Sequence, residues 1–276
     1  DKVAADAPAF VPGAVDATAQ NKQFGYNCDY IGYMPLPVGS DNSEHGLLCV
    51  SHEYTNAEMM WPGLKDAMGA SQEQALHEIA AHGHSIVEVK KTNGKWQVID
   101  GSNYARRISA LDTDMVITGP AAGHDRLKTS SDPTGTRVIG TLNNCAGGKT
   151  PWGTILIAEE NFNGYFGGDI AKTSEERNYK RLGIEPDSWY SWVKYFGRFN
   201  VEKEPNEPNK FGWMVEIDPY DPTSMPKKRT ALGRFKHENA ALTLNADGKV
   251  VVYLGDDERG AVLYRFVSTN PYVAAS

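Results

Sequence analysis

The chain has 276 residues, of which 40% are hydrophobic and 23% are charged, and its formal net charge is −7. This acidic balance argues against a nucleic-acid partner, because such proteins need a surplus of cations against the phosphate backbone. No apolar run approaches the roughly 18 residues that span a bilayer, so we expect no membrane insertion. The 27 glycines and 15 prolines favour turns over long helices.

The N-terminal stretch is rich in Ala, Asp and Pro, and we expect residues 1–20 to form a loose lead-in. Residues 21–276 are predicted to form one domain. Its first segment, FGYNCDYIGYMPLP from Phe24, suits an edge strand or a loop that lines a site. Residues 46–50 indicate a short buried strand, and the polar segment SHEYTN that follows carries Glu53.

The three cysteines give an odd count. Cys28 and Cys49 could form a disulfide in an oxidising compartment, which would leave Cys145 free to bind a ligand. The sequence alone leaves this pairing open.

Residues 70–81 form the best candidate helix, and Ser71 is its expected N-cap. His77 and His82 are five residues apart, not four, so the two imidazoles lie on different faces of a helix and do not form a zinc-protease pair. Residues 85–90 and 96–99 are predicted to form a hairpin.

The segment GTLNNCAGGKTPWGTILIAEENFNGYF, from Gly140, combines one thiol with an apolar strand and two adjacent carboxylates. Glu159 and Glu160 must point to opposite faces of that strand, and a buried carboxylate needs a partner or a metal ion. Two glycines follow Cys145 and would let the backbone approach an ion closely. A thiolate beside carboxylates suggests a mixed metal site. The alternative is a structural cysteine beside a half-exposed glutamate pair.

The second half of the chain repeats the pattern of short strands that end in acidic or polar segments. Residues 163–194 are predicted to be an excursion over one end of the fold. We therefore predict an all-β, β-propeller-like fold with many short antiparallel strands, long loops and a minor helix. The predicted strands of this half are residues 212–219, 250–255 and 261–268.

Four residues that are distant in sequence lie at strand ends or in polar loops and are the candidate metal ligands: Glu53, Cys145, Glu160 and Glu238. Carboxylates suit Ca²⁺, Mg²⁺ or iron, and a thiolate favours iron. The cations Arg137 and Lys236 lie near these ligands in sequence and suit a phosphate group. Each could instead be a solvated surface charge.

The sequence resembles the PhoX-type alkaline phosphatases from about residue 20 to residue 268. The segments that carry the resemblance are the one from Phe24, SHEYTN, TGPAAGHDRLKT, the one from Gly140, PNEPNKFGWMVEIDP, TALGRFKHE and YLGDDERGAVLYRFVS. The resemblance implies a β-propeller phosphomonoesterase that is exported by the twin-arginine route to the periplasm or the medium. It also implies a site with two Fe³⁺ and several Ca²⁺ ions.

Matched to the family motifs, Cys145 would be the thiolate ligand of iron and Glu160 a bridging ligand. Glu53 and Glu238 would be further metal ligands, and Arg137 and Lys236 would contact phosphate. The family members are longer, so we expect an incomplete propeller and metal shell. Cys28 stands where the family is expected to carry Asn.

The predicted function is hydrolysis of small phosphate monoesters by a metal-dependent alkaline phosphatase, acting as a monomer. The alternative is a calcium-stabilised, non-catalytic β-propeller binding module or an inactive fragment.

Overall fold

The computed structural model describes residues 2–274. Residue 1 of the predicted lead-in and residues 275–276 of the predicted domain lie outside the described part. The described residues form three separate sheets. The first contains β1 (Cys28–Pro35), β2 (His45–His52), β3 (Gly83–Thr92), β4 (Lys95–Val98) and β5 (Arg106–Ser109). The second contains β6 (Asp114–Thr118), β7 (Arg137–Ile139), β8 (Asn144–Lys149), β9 (Ile155–Glu159), β10 (Met214–Ile217) and β11 (Lys227–Arg229). The third contains β12 (Ala241–Leu244), β13 (Lys249–Gly255) and β14 (Leu263–Pro271).

The helices are short and lie in the connections between strands. The α-helices are α1 (Ala17–Gln20), α2 (Ala57–Met60), α3 (Gln72–Ala81), α4 (Glu176–Leu182) and α5 (Trp192–Tyr195). Single 3₁₀ turns occupy Ala67–Gly69, Asp125–Leu127, Phe162–Tyr165, Ile170–Lys172, Gly197–Phe199, Glu207–Lys210 and Thr230–Leu232. None of the described helices is long and apolar enough to cross a membrane.

The prediction of a mostly-β fold is confirmed, whereas a propeller is not. The second sheet has the strand order β7-β6-β11-β10-β9-β8, and its β11 pairs with β6 in parallel. A propeller blade is a four-stranded sheet, but the described sheets have five, six and three strands. The late strand β11 is inserted between two earlier ones, and strand periodicity gives no signal for such an insertion.

Several local predictions are confirmed. Ser71 caps α3 in a capping box, in which its hydroxyl accepts from the Gln74 amide and the Gln74 side chain accepts from the Ser71 amide. The predicted hairpin is β3–β4. The two cysteines that could have formed a disulfide, Cys28 and Cys49, are both free. They lie on neighbouring strands but at different positions, since Cys49 pairs with Gly32 and Cys28 with His52.

Two segments are better integrated than the sequence suggested. In the lead-in, Val3 and Ala7 are buried, and the Asp16 amide donates to Nδ1 of His77 on α3 at 3.0 Å. The predicted excursion supplies much of the main hydrophobic core. Its fully buried aromatic residues include Tyr165, Tyr179 and Trp192. Tyr165 and Trp192 both pack edge-on or near edge-on against the imidazole of His82, which follows α3.

A buried ion pair joins β9 to β11. The Lys228 ammonium lies 2.7 Å from Oε1 of Glu159, and both side chains are inaccessible to solvent. Thr141 Oγ1 donates to the same oxygen, and the amides of Gly212 and Trp213 donate to the other one. The carboxylate of Glu159 is therefore fully satisfied and connects three separate chain segments.

We expect Lys228→Met to lower the free energy of unfolding by about 3–5 kcal/mol, because it leaves a buried carboxylate without its countercharge. The matched control is Lys172→Met. Lys172 also lies 2.7 Å from a glutamate, Glu202, but that pair is solvent-exposed, and its loss should cost less than about 1 kcal/mol. Urea unfolding of both variants measures the difference, and equal losses would contradict a special role for the buried pair.

Candidate metal centre

The Cys145 thiol lies between two carboxylates that come from distant parts of the chain. Its Sγ is 3.2 Å from Oε1 of Glu53 and 3.2 Å from Oε2 of Glu160. A thiol has one proton and can donate it to only one of these oxygens. The second close sulfur–oxygen contact therefore needs a proton on the carboxyl group, or a cation between the two atoms, to be favourable.

The backbone brings these side chains together at the ends of two strands. Cys145 lies on β8, where the register with β9 shifts between Asn144 and Gly147. Glu160 follows β9, and its amide donates to the carbonyl of Asn143 at 3.0 Å. Asn143 adopts a left-handed backbone (φ 49°), which asparagine tolerates better than most residues, and its Oδ1 accepts from the Asn161 amide at 2.7 Å.

Two more carboxylates complete the cluster. Asp29, Glu53 and Cys145 place ligand atoms within 4.8 Å of one another, and so do Cys145, Glu160 and Glu238. Cys145 belongs to both groups and connects them. The structure therefore brings together all four predicted metal-ligating residues and adds Asp29, which was not among the predicted ligands. We call these five residues the thiol–carboxylate cluster.

Glu238 reaches the cluster through backbone pairing with the last residue of β13 and with the residues that follow it. The amide of Glu238 donates to the carbonyl of Gly255, and the amide of Asp257 donates to the carbonyl of Lys236. These contacts place Asp257 beside Glu160, where its charge acts on that carboxyl. The acidic run after residue 255 was the sequence signal for Asp257, but only this pairing shows which carboxylate it faces.

The electrostatics of the cluster disfavour negative charge in the absence of cations. Burial, together with the charges of Glu238 and Asp257, raises the pKa of Glu160 to about 7. Burial also raises the pKa of Glu53, Glu238 and Asp29. For Cys145, burial and the two neighbouring glutamates move the thiol pKa far above its ordinary value. A bound cation would reverse these shifts, since ligands of metal ions are held deprotonated.

An unpartnered carboxylate oxygen is a second indication that the cluster suits metal ions. Oε1 of Glu160 is buried and has no hydrogen-bond partner in residues 2–274. An unsatisfied buried carboxylate oxygen costs free energy that a cation would recover. One thiol and four carboxylates offer the soft and hard donors that iron and calcium use.

The structure does not bring Arg137 to the cluster. Arg137 lies on β7 at one edge of the second sheet, while Cys145 lies on β8 at the other edge. Five strand spacings separate the two strands, which is about 24 Å along the sheet. Arg137 pairs with Asp114 at 2.6 Å and is half-exposed. Proximity in sequence was misleading here because β7 and β8 are joined by a short connection but pair with different neighbours.

Lys236 lies close to the cluster but is already paired. Its ammonium is 2.7 Å from Oε2 of Glu258. It lies two residues before Glu238 and is mostly buried. Lys236 can therefore reduce the negative potential around the acidic run, although its charge is shared with Glu258.

The two glycines after Cys145 serve packing rather than ligand approach. A Cβ on Gly148 would lie 2.0 Å from the carbonyl oxygen of Ala240, and one on Gly147 would lie 2.3 Å from the carbonyl oxygen of Leu156. Their lack of side chains lets β8 pack tightly between its neighbours. The prediction that they provide access to an ion gains no support from this geometry.

A cavity of about 330 Å³ adjoins the cluster at Glu53. Its other walls include Asn143, Asn161, Trp189 and Tyr190. The cavity offers space for a small molecule directly beside the candidate ligands.

Fold and site together define a mostly-β protein with a thiol–carboxylate centre suited to metal ions and an adjoining small-molecule cavity. The family model for alkaline phosphatase PhoX matches residues 1–276, and the chain belongs to this family. No curated protein matches the chain.

A solved structure is similar over nearly the whole chain. It is Pseudomonas fluorescens PhoX in complex with vanadate, described as a transition state analogue. The sequences are 44% identical and the TM-score is 0.91. The match covers 99% of the present chain and 46% of the Pseudomonas chain, so the present chain spans about half the length of that relative.

We expect the metal-free protein to lose thermal stability as the pH rises from about 5 to about 8. Glu160 holds its proton up to a pKa of about 7 when folded, against an ordinary value of 4.5. The folded state therefore binds more protons than the unfolded state between these values, and stability falls as they are released.

Melting temperatures measured in the presence of a chelator test this expectation. Glu160→Gln should flatten the pH dependence, and excess Ca²⁺ should restore the stability of the unmodified chain near pH 8. A melting temperature that rises with pH in the metal-free protein, and does so equally in Glu160→Gln, would overturn the assigned electrostatics.

Proposed function

We propose that the chain forms the metal-binding part of an alkaline phosphatase that hydrolyses phosphate monoesters. The observation that carries this proposal is the contact of one thiol with two carboxylates at 3.2 Å, in a chain of the PhoX family. The vanadate complex of the Pseudomonas relative is consistent with phosphoryl chemistry.

Cys145, Glu160, Glu53 and Glu238 are the proposed metal ligands, with Asp29 as a fifth. We propose iron at the thiol, because thiolates select iron over calcium, and calcium among the carboxylates. Two Fe³⁺ and several Ca²⁺ ions remain the proposed complement. When bound, such ions polarise a phosphoryl group and lower the pKa of water.

The residues of the chain hold and orient this centre. Glu160 is fixed by the Asn143 carbonyl, and Glu53 by the carbonyl of Asn27, which accepts from its amide. Lys236 is proposed to make the electrostatic potential around Glu238 and Asp257 less negative. An anionic substrate is then repelled less strongly as it approaches the site. Arg137 is not retained as a phosphate contact, since it lies at the far edge of the sheet.

We further propose, on the family resemblance, that the protein is exported to the periplasm or the medium and acts as a monomer. The propeller architecture of the family is likewise a proposal for the present chain.

We expect the purified protein to contain iron and calcium by elemental analysis and to release phosphate from p-nitrophenyl phosphate. Cys145→Ala should lose the iron and lower phosphate release by about 100-fold or more, since even partners of ligands contribute 10–100-fold. Cys49→Ala is the matched control, because Cys49 is a buried cysteine in the main core. Calcium without iron, together with no phosphate release, would support the non-catalytic binding module instead.

A further inference from the structure

Trp189 is an exposed indole held between two buried residues. It is 54% exposed, whereas Ser188 and Tyr190 are both buried. The Trp189 amide and the Ser188 hydroxyl both donate to the carbonyl of Gly164, at 2.8 and 2.9 Å. The indole is therefore fixed at the surface by its backbone, although burial would be the usual outcome for so large an apolar side chain.

Gly164 sets the position of the ring. A Cβ on Gly164 would lie 2.2 Å from Cε3 of Trp189, so the indole lies directly on the backbone of this glycine. Gly164 belongs to the turn Phe162–Tyr165, which begins two residues after Glu160. Trp189 is thus held at a defined place relative to the thiol–carboxylate cluster.

The cavity beside Trp189 has the chemistry of a site for an uncharged planar group. Its described lining contains one carboxylate, Glu53, and no lysine or arginine, so it does not suit a phosphate group. Asn161 contributes an amide side chain that makes no hydrogen bond within residues 2–274. An aromatic face and a free amide together can stack on a ring and bond to its polar edge.

We propose that this cavity binds the organic part of the phosphate monoester, as an aromatic ring stacked on Trp189 with its edge at Asn161. The phosphate group then lies at the cluster, to which Glu53 connects the cavity. This assignment rests on the proposed function, because it presumes that the phosphate site lies at the cluster. Trp189 is a specificity-determining residue in this arrangement.

The test compares two non-hydrolysable probes, phenylphosphonate and methylphosphonate, binding to the metal-loaded protein by calorimetry. We expect Trp189→Ala to weaken phenylphosphonate about three- to tenfold, as loss of one aromatic pair does. Methylphosphonate should bind unchanged. Trp96→Ala is the matched control, since Trp96 is 50% exposed on β4 and does not line the cavity.

A second variant displaces the ring without removing it. In Gly164→Ala the new methyl group must push the indole away, so we expect the same selective loss for phenylphosphonate. Trp189→Phe keeps a smaller ring and should lose less than Trp189→Ala.

The outcomes separate the two proposals. If neither phosphonate binds the unmodified protein, the phosphate site and the ring site both fail. If both bind, but the Trp189 variants weaken them equally or not at all, only the ring site is overturned.

Discussion

The geometry of the thiol–carboxylate cluster depends on the buried ion pair between Glu159 and Lys228. Adjacent residues of a strand point to opposite faces, so one of the two glutamates at the end of β9 must enter the interior. Glu159 does so, and Lys228, Thr141 and two backbone amides meet all of its hydrogen-bonding needs. Its neighbour Glu160 is thereby directed to the other face, where it contacts Cys145.

Glu159 also contacts the segments that carry other members of the thiol–carboxylate cluster. The backbone carbonyl of Glu159 accepts from the amide of His237, the residue before Glu238. The Thr141 hydroxyl, which donates to the Glu159 carboxylate, also accepts from the side-chain Nδ2 of Asn144, the residue before Cys145. The contacts of Glu159 therefore help to position three parts of the cluster: Glu160 beside it, the start of β8 near Cys145, and the segment that carries Glu238. The cost of this arrangement is that several acidic groups converge, with a raised pKa at Glu160 and with Oε1 of Glu160 left without a hydrogen-bond partner in residues 2–274.

The cavity beside the cluster is shaped in part by residues 160–190. The buried aromatic residues of this segment belong to the main hydrophobic core, and the same segment brings Trp189 to the cavity that Glu53 also lines. The burial of Tyr190, which stacks on Tyr165 with ring centroids 4.9 Å apart, holds this segment in place. Core packing and the shape of the adjoining cavity are thus determined by the same residues.

The sequence by itself determined many of the short strands, the capped helix at Ser71 and the donor types that Glu53, Cys145, Glu160 and Glu238 offer. These follow from local alternation, capping chemistry and donor chemistry, which a linear pattern contains. Only the tertiary structure decided that Asp29 joins the cluster and that Arg137 lies on the far edge of the sheet. It also decided that the glycines after Cys145 serve packing. Each of these depends on which strands are neighbours, and strand order arises from long-range pairing that no local pattern encodes.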